Sequence, residues 1–189
     1  MLNNLRESLK PTLEKIGKTF ASTGISPNTF TVIGLGFAFV SSIIYGTNIE
    51  YSLIIGGIVL LISGFFDIVD GQVARFTKKI TKTGGFMDSA FDKIAEVAIF
   101  FGILIGNHAD PYLVIIGITL SLLVSYMRAK ADTMGIKLQG IGIGERAERL
   151  LVIAVIGIIG FMEIAVIIVI VIAAITLGQR IIAISKKDA

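Results

Sequence analysis

The chain has 189 residues, 54% of them hydrophobic and 16% charged, with a formal net charge of +3. Soluble domains carry about a quarter charged residues, so this composition, with a mean hydropathy of +0.86, excludes an ordinary water-soluble globule. The absence of cysteine removes disulfides and thiolate metal ligands from consideration.

Residues 1–26 come first as a separate segment. Leu2, Leu5, Leu9, Leu13, Ile16 and Phe20 recur at helical spacing among polar and basic neighbours. This predicts an amphipathic helix lying on the membrane surface, interrupted or kinked near Pro11. The polar, basic start does not read as a signal peptide. Ser26-Pro27-Asn28 has the residues of a helix cap and first turn.

From there, residues 27–185 read as six apolar runs: Asn28 to Tyr45, Tyr51 to Arg75, Gly84 to Ile105, Tyr112 to Ala131, Arg149 to Phe161 and Ile164 to Gly178. Crossing the hydrocarbon takes about 20 apolar residues in a helix, and backbone groups in lipid must bond within the segment. The fifth run is short, and its helix is expected to begin near Glu145. Lys and Arg fall before the first run, after the second, between the fourth and fifth, and after the sixth; the other three connections have none. The positive-inside rule then places every basic junction in the cytoplasm. The expected fold is an all-α integral membrane protein with six transmembrane helices and both termini cytoplasmic, preceded by the amphipathic interfacial helix. The positive charge reports orientation in a cell membrane, not nucleic-acid binding.

Charges inside the spans need a reason, because burying them in hydrocarbon is costly. Asp67 and Asp70 lie three residues apart in the second run, and Asp88 and Asp92 four apart in the third, where Lys93 and Glu96 follow. Both spacings place the two carboxylates on one helix face. At 1.5 Å per residue Asp67 is about 12 Å from Arg75, and Asp92 about 12 Å from Gly84. The short connection brings all four acids to similar depth near the cytoplasmic surface. Four facing carboxylates repel unless a cation joins them. An all-oxygen ligand set favours Mg²⁺, with Mn²⁺ plausible, and four acids suffice for two ions. Gly71 and Ala74 keep one face small beside the acids, and Arg75 on that face points to where a diphosphate could sit.

The run Asp67-x2-Asp70-Gly71-x2-Ala74-Arg75-x8-Gly84-x3-Asp88-x3-Asp92 matches at all eight fixed positions the signature of the CDP-alcohol phosphotransferase family. The chain resembles that family over essentially its whole length. The resemblance implies two metal ions on Asp67, Asp70, Asp88 and Asp92, with Asp92 taking the proton from the attacking hydroxyl. It implies a CDP-lipid site at Gly71, Ala74 and Arg75, with Thr81, Asn28 and Thr31 as further nucleotide contacts.

The acceptor is read from a second basic set. Arg128, Arg146, Arg149 and Arg180 would all reach the cytoplasmic rim of one bundle. By position they fit equally an anionic acceptor or headgroup anchors. Here the chain looks like the inositol-phosphate-accepting branch, the phosphatidylinositol phosphate and archaetidylinositol phosphate synthases. That likeness implies an acceptor-phosphate pocket at Ser125, Arg128, Lys130, Arg149 and Arg180, with Arg146 beside it. Arg128 and Lys130 stand in the reverse of the expected Lys-x-Arg order, and Ala147 replaces a common Pro. The implied reaction joins a CDP-lipid, CDP-archaeol or CDP-diacylglycerol, to inositol 1-phosphate and releases CMP, in phospholipid biosynthesis. Glycerol 3-phosphate is the closest rival acceptor, and an ion-coupled transporter is the rival of another class.

Weaker features complete the reading. Gly140 to Gly144 reads as a flexible cytoplasmic loop. Gly56, Gly57 and Gly64 suit close helix contacts, including a homodimer. His108 receives no role.

Overall fold

The computed structural model describes the backbone of residues 2–47, 49–79, 81–138 and 140–186, with side chains from Pro11 onward. Seven helices follow in order: α1 (Leu2–Ala21), α2 (Pro27–Tyr45), α3 (Ser52–Thr77), α4 (Lys82–Ile105), α5 (Pro111–Thr133), α6 (Arg146–Ile158) and α7 (Met162–Ser185). Among the described residues there is no strand.

Local chemistry sets many of the boundaries. Ser26 caps α2 by accepting from the Thr29 amide, with Pro27 in the first turn, where a missing amide proton costs nothing. Thr81 caps α4 through the Gly84 amide. Asp110 caps α5. Glu145 and Glu148 form a reciprocal capping box at the start of α6, where the sequence placed that helix.

Four helices, α2, α3, α5 and α7, are long and apolar enough to cross a membrane. The other two expected spans differ for separate reasons. α4 has the length, but Lys82, Asp88, Asp92, Lys93 and Glu96 interrupt its apolar character. α6 has 13 residues, about 20 Å of helix at 1.5 Å per residue. It ends in a turn at Gly160, whose φ is +92°.

α1 runs through Pro11 as one helix. No interruption occurs there, because proline removes one hydrogen bond and the adjoining turns carry the helix across. Leu2, Leu5 and Leu9 of its expected apolar stripe lie outside the described side chains. Ile16 and Phe20 pack on a cluster of Phe30, Val69 and Val73. Phe20 meets the Phe30 ring edge-on, with centroids 5.6 Å apart. This end of α1 thus docks on α2 and α3.

Buried serines and glycines bring the helices close. Ser41 donates to the Gly56 carbonyl and Ser63 to the Gly34 carbonyl, tying α2 to α3. Ser42 donates to the Ala98 carbonyl of α4. At Gly102 a Cβ would fall on the Ser42 backbone. Gly56 accommodates the Tyr45 ring, and Gly57 accommodates Ile158 of α6. Gly64 faces open space. Two of the three glycines singled out in the sequence therefore serve contacts within the chain. The main core, with Tyr45, Ile99, Phe100, Ile103, Ile153, Met162 and Val166, fills the end away from the acids.

Gly102→Val should lower the stability of the purified protein by about 1–3 kcal/mol, the usual penalty for overpacking. Gly64→Ala should change it little. Thermal unfolding in detergent micelles reads both.

Candidate active site

α3 runs towards its C-terminal end through Asp67 and Asp70, and α4 starts beyond a four-residue turn and presents Asp88 and Asp92. The turn opens on Lys78, whose φ is +56°, with the Lys79 amide closing back on the Ala74 carbonyl. This short connection lets the two helices bring their acids to one place. Ligand oxygens of Asp67, Asp70 and Asp88 come within 4.8 Å of one another. Asp70 is buried, and its Oδ2 has no hydrogen-bond partner. A small cavity of about 20 Å³ is lined by Thr31, Ser63, Asp67, Asp70, Asp92 and Arg146, room for one water or ion.

Asp92 stands apart from the three. Arg146, in the first turn of α6, places its NH1 between Asp67 and Asp92 and bonds to an oxygen of each, the Asp67 contact at 3.1 Å. The sequence placed Arg146 beside the acceptor phosphate; the structure sets its guanidinium among the carboxylates. Asp92 Oδ2 makes no hydrogen bond to the described residues and keeps partial access to the cleft, the side chain being 24% exposed.

One turn deeper, Arg149 and Glu96 form a second rung. Arg149 Nε and NH2 both donate to Glu96 Oε1, at 3.1 and 2.8 Å, and NH1 donates to the Gly144 carbonyl. Both side chains are fully buried. Arg149 is thus held inside the bundle and is not a headgroup anchor. Glu96 is the important residue whose role the sequence left unread. Its position four after Asp92, with Arg149 three after Arg146, was the available signal.

The nucleotide-side residues also gather. The Arg75 guanidinium lies over Gly71, where a Cβ would come within 3.3 Å of it. A Cβ at Gly84 would meet Asn28 Oδ1 at 3.2 Å and the Thr81 hydroxyl at 2.9 Å, so these two converge on one point. Thr31 donates to the Pro27 carbonyl. Ala74 is half-buried on the same helix. A cleft of about 630 Å³ runs past all four aspartates, Gly71, Arg75 and Arg146, with Leu60, Leu61, Ile68 and Leu151 along its apolar wall.

The second basic set lies around the end of α5. Arg180 is buried and donates to the Val124 and Ile141 carbonyls. Arg128 and Arg149 lie within Coulombic range of it. Arg128 is half-buried, Lys130 is exposed, and neither forms a salt bridge among the described residues. Ser125 is half-buried, its hydroxyl on the Ser121 carbonyl. Gly140 to Gly144 is not a free loop. The Gly144 amide donates to Thr176 of α7, and a Cβ at Gly142 would collide with the same threonine.

Residues 24–179 match the CDP-alcohol phosphatidyltransferase family. The chain belongs to that family. It is 40% identical over 156 residues to the archaetidylinositol phosphate synthase of Pyrococcus horikoshii, covering 81% of this chain and 80% of that protein. The fold matches the Mycobacterium tuberculosis phosphatidylinositol phosphate synthase solved with CDP-DAG bound, at a TM-score of 0.76 and 23% identity over 89% of this chain and 91% of that one. The same enzyme solved with manganese and citrate matches at 0.76 and 23% identity, over 89% of this chain and 87% of that one. This chain is accordingly a transferase of phospholipid biosynthesis, acting on a CDP-lipid and an alcohol.

Arg149→Ala should destabilise the protein by about 3–5 kcal/mol by leaving Glu96 charged and alone in the interior. The double change Glu96→Met with Arg149→Leu should recover most of that loss, as read by thermal unfolding in micelles.

Proposed function

We propose that the chain transfers a phosphate-linked lipid from CDP-archaeol or CDP-diacylglycerol to inositol 1-phosphate, releasing CMP. The observation that carries this reading is the pairing of an all-oxygen acid cluster with a separate group of cations. The first suits a divalent ion and the second an anionic acceptor.

Asp67, Asp70 and Asp88 would hold the metal, Mg²⁺ or Mn²⁺, and Asp92 would complete a two-ion site. The fit rests on the convergence of their oxygens and on the unpartnered, buried Asp70 Oδ2. When bound, the metal offsets charge on the diphosphate and makes CMP a good leaving group. Arg75 would lie along the diphosphate, with Gly71 leaving room for it. Asn28, Thr81 and Thr31 would contact the nucleotide, with Ala74 keeping that helix face low. The acceptor hydroxyl attacks phosphorus, its oxygen forms the new bond, and the bond to CMP breaks. The proton passes to Asp92, whose Oδ2 is the oxygen not engaged by Arg146.

Arg128, Lys130 and Arg180, with Ser125, would receive the acceptor's phosphate. Guanidiniums gathered in a poorly solvated site repel, and an anion relieves the repulsion. Arg149 supports this pocket from beneath through its hold on Glu96 and Gly144. A glycerol phosphate would satisfy the same charges, so the polyol is selected by its hydroxyls.

Six membrane crossings with both termini cytoplasmic remain the topology we propose. The Asp110 amide donates to Glu163 at 3.1 Å, joining the α4–α5 connection to the first turn of α7 at the end opposite the acids. α1 would lie at the cytoplasmic surface of the cell membrane, and two copies would form a homodimer.

CMP release by the purified protein with Mg²⁺ and CDP-lipid should be fastest with inositol 1-phosphate among glycerol 3-phosphate, free inositol and serine. Faster release with glycerol 3-phosphate would reassign the acceptor. Asp92→Asn should abolish turnover while retaining CDP-lipid binding. Arg128→Ala should raise the acceptor KM by about 10- to 100-fold, the loss of one charge-assisted hydrogen bond.

A further inference from the structure

Arg146 brings a positive charge from α6 into the acid cluster. Its guanidinium spans from α6 to both α3 and α4, touching Asp67 and Asp92 through one nitrogen. Its Nε is buried and bonds to nothing. A cation anchored mainly for its own solvation would find partners for that nitrogen, as Arg149 does through three different nitrogens. Arg146 instead spends its contacts on carboxylates that the site needs elsewhere.

We infer that Arg146 is a positioning residue that acts as the resident counter-cation of the metal-free aspartate cluster, and that it competes with divalent metal for Asp67 and Asp92. The inference rests on the reading of these aspartates as metal ligands. The guanidinium lies between a carboxylate of α3 and one of α4 and offsets their repulsion. A metal ion bound to the same oxygens takes over that role, and the two cations then repel across a short distance.

The displacement is a side-chain movement, not a shift of the helix. Arg149, one turn along α6, is fixed to Glu96 and Gly144 with no exposed surface. The capping box of Glu145 and Glu148 holds the first turn. Arg146 also lines the 630 Å³ cleft, so its guanidinium has open volume to rotate into. The affinity of the site for metal is therefore set by a difference: ligation by the aspartates less the cost of removing Arg146 from them.

Chelator-stripped full-length protein in micelles, titrated with Mn²⁺ alone and followed by the electron paramagnetic resonance of free Mn²⁺, tests this without substrate. Arg146→Gln should bind Mn²⁺ about tenfold more tightly than the wild type, since no cation has to leave. Arg146→Lys, which keeps the charge on a shorter side chain that reaches the two carboxylates less well, should fall between them. In thermal unfolding, Arg146→Gln should melt lower than wild type without metal and gain more on Mn²⁺ addition. A residue that merely packs would lower both melts equally and leave the affinity unchanged. Equal Mn²⁺ affinity in the three proteins, or weaker binding in Arg146→Gln, overturns the inference and leaves the metal site standing. Mn²⁺ binding to none of them overturns the metal site as well.

Discussion

Carboxylates brought together in a medium of low dielectric repel one another, and every other feature of this protein's working end answers that constraint. The repulsion arises because α3 and α4 reverse within a four-residue turn and face their acids inward from adjacent turns. Positive charge has to come from some other part of the chain or from solution. The chain supplies part of it through α6, whose first turn reaches across both helices. The shortness of α6 is consistent with this work. It begins where the acids are and ends once it has passed the core.

The two arginines of α6 divide the task by depth. The deeper one is sealed with its carboxylate and makes the crossing of α4 and α6 a fixed joint, because leaving either charge alone there is strongly destabilising. The shallower one is partly accessible and stands in a cleft. One pair defines geometry and the other sits where chemistry takes place. Charged pairs one helical turn apart thus acquire different roles from burial alone.

The sequence made much of this visible because much of it is local. The Ser26 cap, the start of α6 at Glu145 and the shared face of each aspartate pair depend on residues within one turn of each other. The partners of Arg146 and Arg149 were not legible, since they depend on how α6 is rotated against α4. α6 is seated on α3 by contacts such as Gly57 against Ile158, far along the chain, and its facing towards α4 follows from that seat. The same holds for Gly140 to Gly144, whose glycines suggested mobility until Thr176 was found against them. Pro11 shows the opposite case, a local signal that did not interrupt the helix around it. The six membrane crossings were argued from charge placement; by length and apolar character four helices qualify, α4 carrying too many charges and α6 being too short.

The cleft beside the acids has unlike walls, carboxylates and Arg75 at one end and Leu60, Leu61, Ile68 and Leu151 along its side. Leu61 and Ile68 are also exposed on the outer surface of α3. A donor with a water-seeking head and a hydrocarbon tail can lie along such a surface without either part changing solvent. In the proposed reaction the barrier that governs most traffic between oil and water would then be absent for the lipid. Only the small, charged nucleotide would have to depart, into water; the lipid with its exchanged headgroup would already be at home where it was made.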